Sequence, residues 1–130
     1  LVAFDPNNAN KFVIAYQNTG GSYEGVAVAG TVSGTTLTFG TPVIFKSSDA
    51  YVTSLAFDPN TAGKFVVAYR DGTNSHYGTI SVGTLSGTSV SLSLITQVLH
   101  TDLTYPLTLI PLVSLLLFIG ITVTQTMVQL

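Results

Sequence analysis

The chain has 130 residues, only 8% of them charged, and a formal net charge of −2 from four basic and six acidic residues. An average soluble domain is about 25% charged, and neither a disordered tail nor a basic nucleic-acid binder is this apolar, so no nucleic-acid partner is expected. The absence of cysteine excludes a disulfide framework, a thiolate zinc site and a cysteine nucleophile. The chain begins at Leu1 without a basic-then-apolar leader, and reads as a fragment of a longer protein.

Internal repetition decides the organisation. A shift of 53 residues places Ala3-Phe4-Asp5-Pro6-Asn7 on Ala56-Phe57-Asp58-Pro59-Asn60, and Lys11-Phe12-Val13 on Lys64-Phe65-Val66. Ala15-Tyr16, Gly25, Gly30-Thr31 and Ser33-Gly34-Thr35 fall on Ala68-Tyr69, Gly78, Gly83-Thr84 and Ser86-Gly87-Thr88. Over positions 3–38, 18 of 36 residues are identical without a gap, which marks a duplication. The units are 1–50 and 51–92, followed by a transition at 93–106 and an apolar tail at 107–130.

Each unit reads as four short strands. The first, 51–57 in the second unit, ends in a Phe-Asp-Pro-Asn turn, where proline fixes φ and Asp and Asn bond nearby backbone. The second, 11–16 and 64–69, is too short and too β-branched for a helix. It is apolar on both faces, so it should lie inside its sheet and be the most buried segment. The third, 24–32 and 77–85, has an apolar face of Ile80 and Val82 and a polar one of Thr79 and Ser81. A Ser-Gly turn leads to the fourth, 35–39 and 88–92, with glycine supplying the positive φ of a hairpin turn. In the first unit Pro42-Val43-Ile44-Phe45 extends the fourth strand or adds an edge strand. The expected fold is all-β: tandem four-stranded antiparallel repeats like propeller blades, with inner strands buried twice. A sandwich and another stacked β array are the alternatives.

The stretch Phe57-Asp-Pro-Asn-Thr-Ala-Gly-Lys-Phe-Val-Val-Ala-Tyr-Arg-Asp71, with Tyr77-Gly78-Thr79 and Ser86-Gly87-Thr88, resembles a tandem repeat of uncharacterised propeller-like proteins from marine microbial and phage sequences. The resemblance covers about residues 1–92. It implies a β-repeat architecture and a surface or virion adhesion role, and supplies no catalytic residues.

Candidate chemistry is sparse. Asp5 with Asn7, and Asp58 with Asn60, place oxygens as a calcium loop begins, but Ala9 and Ala62 occupy the next ligand position. An Asx-Pro turn is the competing reading, and no cofactor is expected. Arg70, Asp71 and Asn74 lie at a polar strand end and are the candidate ligand-binding residues. The variable loops 19–22 and 72–75 should share one end of the two sheets, where loops carry binding. His76 and His100 belong to no paired metal motif. Glu24 and Asp49 lack carboxylate partners in the other unit, and no nucleotide or hydrolase motif occurs.

The repeat fails after Ser91, and 103–130 carries no charge. Residues 107–123 are apolar enough to be taken for a membrane helix, yet they fall short of about 20 residues and are interrupted by Pro111, Ser114 and Gly120. No Lys or Arg follows Arg70 to set an orientation. A shift of reading frame explains the tail. Taking the last base of each codon from Thr108 with the first two of the next permits Phe-Asp-Pro-x-Gly-Lys-Phe-Val-Val-Val-Tyr-Arg-Asp, then Asn-Gly-Asn-Ser-Asn-Tyr-Gly-Thr. Met127-Val128 forces glycine, and Phe118-Ile119 allows only Tyr or His. The tail therefore reads as an out-of-frame third repeat, helical or ill-packed if made.

The expected function is a non-enzymatic structural or adhesive module from a longer extracellular or virion-associated protein, binding a glycan or protein. The alternatives are a single-pass membrane protein displaying two β repeats through 107–123, and a fragment of a propeller glycosidase, which needs convergent carboxylates.

Overall fold

The computed structural model describes residues 1–99, with side chains through Ser93. The tail at 107–130, its candidate membrane helix, its out-of-frame reading and His100 lie outside the described residues. Strands β1 (Val2–Phe4), β2 (Lys11–Asn18), β3 (Glu24–Ser33) and β4 (Thr36–Phe39) form one antiparallel sheet in chain order, with β5 (Val43–Lys46) also on β3. Strands β6 (Ala50–Phe57), β7 (Lys64–Asp71), β8 (Tyr77–Ser86) and β9 (Ser89–Leu99) form a second, again in chain order. The protein is thus all-β over the described residues.

The two sheets share a register. Phe12 stands opposite Gly30 and Phe65 opposite Gly83. In each pair the phenyl ring lies across the glycine, where a Cβ would run into it. The β3–β4 and β8–β9 hairpins turn at Gly34 (φ 58°) and Gly87 (φ 62°), conformations that L side chains avoid.

Strands β4 and β5 lie along successive stretches of one edge of β3, against residues 30–33 and 25–27. They are one strand position interrupted around Gly40 and Pro42, so the 42–45 segment extends the fourth strand. In the second sheet β9 fills that position without a break. Leu99 faces Gly78 as Lys46 faces Gly25, one period apart. The second unit therefore continues past residue 92 to Leu99, beyond the boundary drawn from sequence. Sequence identity is lost there, but backbone pairing needs only an extended chain.

Alternation along β2 and β3 sends Val13, Ala15, Ala27 and Ala29 toward the second sheet. They meet Phe57, Phe65, Val67, Tyr69, Leu85 and Val90 in one core, each large side chain contributing about 1.5–3 kcal/mol on burial. These residues have opposite parity in the two units. Val66 and Ala68, the counterparts of Val13 and Ala15, lie on the far face of the second sheet with Ile80, Ala56 and Val82. The back of the first sheet thus packs on the front of the second.

One burial expectation is corrected. Strands β2 and β7 are interior, but in the first sheet residues 25–30 of β3 are buried throughout, while Ile14 is half-buried and Tyr16 exposed. The Tyr16 face of β2 is not the face packed on the second sheet. Thr79 and Ser81, the polar face of β8, are buried because that face looks into the inter-sheet core.

Candidate functional site

At one end of the sheets the two Asp-Pro turns interlock. The Asp5 carboxylate accepts from the Asn7 backbone N–H at 2.9 Å and the Asn8 side-chain amide at 2.7 Å. It also accepts the buried Gly63 N–H of the other unit at 2.8 Å. Asn7 donates its side-chain amide to the Asp58 and Pro59 carbonyls. Burial pushes the Asp5 carboxyl up, but the bonds from Asn8, Asn7 and Gly63 outweigh it and hold it below its ordinary value. Asp58 accepts the Asn60 N–H at 2.9 Å, and that bond chiefly lowers its pKa. The four calcium candidates thus form Asx turns, two of them (Asp5 and Asn7) joined to the neighbouring unit. Among the described residues no three His, Cys, Asp or Glu side chains gather as a metal site.

The opposite end gathers the β2–β3 and β7–β8 loops. Asp49, in the link between β5 and β6, joins them through its main chain. Its N–H donates to the Ser22 carbonyl at 2.9 Å, and its carbonyl accepts the Gly72 N–H at 2.9 Å. The next N–H, of Ala50, donates to the Tyr23 carbonyl. The variable loops therefore share one end. Tyr23 and His76, one period apart, both take left-handed backbone (φ 60° and 62°).

Arg70, Asp71 and Asn74 do not converge on one point, because neighbouring residues of a strand face opposite ways. Asp71 turns inward and accepts from Lys46 Nζ at 2.8 Å, from the Thr73 N–H at 3.0 Å and from Thr73 Oγ1 at 2.7 Å. Lys46 also donates to Thr73 Oγ1 at 2.7 Å. Burial raises the Asp71 pKa, and the bonds from Lys46 and Thr73 more than reverse it. A carboxyl held ionised in this way is poorly suited to proton donation at neutral pH. Arg70 lies on the other face, its guanidinium carbon 6.0 Å from the ring centre of Tyr51. Its Nε is buried without a hydrogen-bond partner. Asn74 closes the loop through its backbone, donating to the Asp71 carbonyl and accepting from Tyr77.

Lys46, Tyr51 and Thr73 were not singled out from the sequence, and Asp49 was weighed only as a carboxylate. Lys46 lies 25 residues from Asp71, and its counterpart Leu99 is apolar, so repetition gave no signal. The chain matches no protein-family model, no curated protein and no solved structure. Among the described residues no helix is long and apolar enough to cross a membrane.

Proposed function

We propose that the chain is a non-enzymatic module of stacked, propeller-blade-like β repeats from a surface or virion-associated protein, which presents ligand-contacting loops at one end. The observation that carries this reading is the union of the two variable loops through Asp49, opposite the turns that fasten one unit to the next. Rigid sheets bearing variable loops on one rim are a common arrangement for recognition. The exposed rings of Tyr23 and Tyr51, the Arg70 guanidinium beside Tyr51 and the loop hydroxyls of Thr73 and Ser75 suit a neutral polyhydroxylated ligand such as a glycan. Proton-transfer chemistry is disfavoured, because Asp71 is neutralised by Lys46 and Glu24 accepts from Asn18 at 3.1 Å.

The test pairs a glycan-array screen with turnover of model glycosides. Binding without turnover, weakened at least fivefold by Tyr51→Ala or Arg70→Ala and unchanged by Asn60→Ala at the far end, is expected. Turnover, or binding unaffected by the two loop-end variants, would overturn the reading.

A further inference from the structure

Around Gly72 the main-chain donors point inward. The Gly72 N–H donates to the Asp49 carbonyl, the Thr73 N–H to Asp71 Oδ1 at 3.0 Å and the Asn74 N–H to the Asp71 carbonyl. The Thr73 hydroxyl is fixed as well. Its proton goes to Asp71 Oδ1 at 2.7 Å, and one of its lone pairs accepts from Lys46 Nζ at 2.7 Å. The direction of both bonds is forced, because an ionised carboxylate only accepts and an ammonium only donates. Thr73 is exposed, and what its hydroxyl offers the solvent is the second lone pair.

The adjoining group is an acceptor too. Asp49 is exposed, and its carboxylate lies against Gly72, where a Cβ would run into it. Among the described residues nothing donates a hydrogen bond to that carboxylate. The rim beside Gly72 thus presents a carboxylate and a locked hydroxyl oxygen, with the N–H groups of Gly72 and Thr73 turned away. Two neighbouring acceptors call for two neighbouring donors. A cation fits poorly, since the Lys46 ammonium already stands 2.7 Å from Thr73 Oγ1. Nor, among the described residues, do three His, Cys, Asp or Glu side chains gather to hold one. Neutral hydroxyls meet no such repulsion, and a hydrogen bond to a carboxylate is the stronger kind.

We infer that Asp49 and Thr73 are specificity-determining residues of the loop end, and that together they take a vicinal diol of a sugar ring. One hydroxyl donates to the Asp49 carboxylate and its neighbour donates to Thr73 Oγ1. This assignment rests on the glycan reading given above and narrows it to sugars with two adjacent free hydroxyls. The preference follows from the direction of the bonds. A hydroxyl can donate, whereas an ether, an O-methyl group or a carboxylate only accepts, and acceptor against acceptor leaves both sides without a partner. A site built to bond a hydroxyl rejects the analogue lacking it far more strongly than an apolar pocket rejects a missing methylene. Lys46 takes part without touching the sugar: by occupying one lone pair of Thr73 it leaves a single accepting direction.

A glycan array carrying glucosides, galactosides and mannosides, each beside versions deoxygenated or O-methylated at one ring hydroxyl, tests the assignment on the full chain. Binding is expected to fall at least fivefold on deoxygenation at either of two adjacent positions. O-methylation there should cost as much, since it keeps the oxygen and removes only the donor. Asp49→Asn and Thr73→Val should each weaken binding of the parent sugar by about tenfold, and should add little to the loss already caused by modifying the hydroxyl. Thr73→Ser, which keeps the hydroxyl, should bind as the parent chain does, and circular dichroism confirms that each variant keeps its sheets. Three results would overturn the assignment and leave loop-end recognition standing. They are binding that tolerates O-methylation at every position, binding that Tyr51→Ala weakens but Asp49→Asn and Thr73→Val do not, and binding that requires added calcium. Absence of binding to all of these sugars would overturn the loop-end reading together with it.

Discussion

Gly83 and Gly30 hold the same place in the two sheets, yet adding a methyl group should have different costs at each. Neither has positive φ, so alanine is allowed by the backbone, and stiffening the unfolded chain should stabilise by about 0.4–1 kcal/mol. Against this stands the ring that each glycine supports. At Gly83 the ring is that of Phe65, fully buried and packed on Phe57 at 5.4 Å with the first sheet above it. It has nowhere to go, and overpacking of this kind costs about 1–3 kcal/mol. At Gly30 the ring is Phe12, flanked by Phe4 at 5.4 Å and Phe39 at 6.0 Å, both more than half exposed and free to yield. Gly83→Ala should therefore destabilise by a net of about 1–2 kcal/mol. Gly30→Ala should fall within about 0.5 kcal/mol of the parent. Urea unfolding followed by circular dichroism and tyrosine fluorescence, at concentrations where the chain is monomeric, measures both. Adding Phe65→Leu should remove most of the extra cost of Gly83→Ala, since the shortened side chain no longer covers the glycine. Equal costs at the two glycines, or a larger one at Gly30, would refute the reasoning that the first sheet clamps Phe65 while the exposed rings beside Phe12 can give way.

Two further outcomes follow from the polar contacts. Asp5→Ala leaves the buried Gly63 N–H without its charged acceptor and should cost about 2–4 kcal/mol in the same assay; Asp5→Asn, which keeps an acceptor oxygen, should cost less. The carboxyl of Asp71 is held below its ordinary value of 3.8 by Lys46 and Thr73. Its contribution is therefore fully present above about pH 4 to 5, and is lost as the pH falls through 3.8 toward the lower folded value. Lys46→Met should flatten that acid limb and cost about 1–2 kcal/mol at pH 7, the pair being partly solvated; an unchanged acid limb would show that the ion pair is not what holds Asp71.

The strands were legible because their signals are local. Period-two alternation, the Asp-Pro-Asn turns and the Ser-Gly hairpins are each written within a few residues, and duplication gave two readings of every one. Burial was less legible because it depends on which face meets the other sheet. The sequences Phe12-Val13-Ile14-Ala15 and Phe65-Val66-Val67-Ala68 are nearly identical, yet opposite parities enter the shared core. That is why Tyr16 is exposed while Tyr69 is buried, with its phenol pKa pushed up by that burial. The polar strand residues Thr79 and Ser81 are buried for the same reason. At the loop end, Asp71 was visible as a polar strand terminus, but Lys46 was not, since its contact crosses between sheets and has no counterpart in the other unit. Asp49 acts through its backbone, on which the side-chain sequence is silent.

That last feature bears on how this end of the molecule can change. The three bonds that draw the loops together, from Asp49 to Ser22, Gly72 to Asp49 and Ala50 to Tyr23, run entirely between main-chain atoms. Side chains at 19–21 and 74–76 can therefore be exchanged without breaking any of them, whereas a Cβ at Gly72 would first have to displace the Asp49 carboxylate. Such a rim is a natural place to randomise: a library spread over 19–21 and 74 inherits a scaffold that does not depend on their identity, while Ser75 and His76, in left-handed backbone (φ 52° and 62°), are best kept to Gly, Asn, Asp and similar residues.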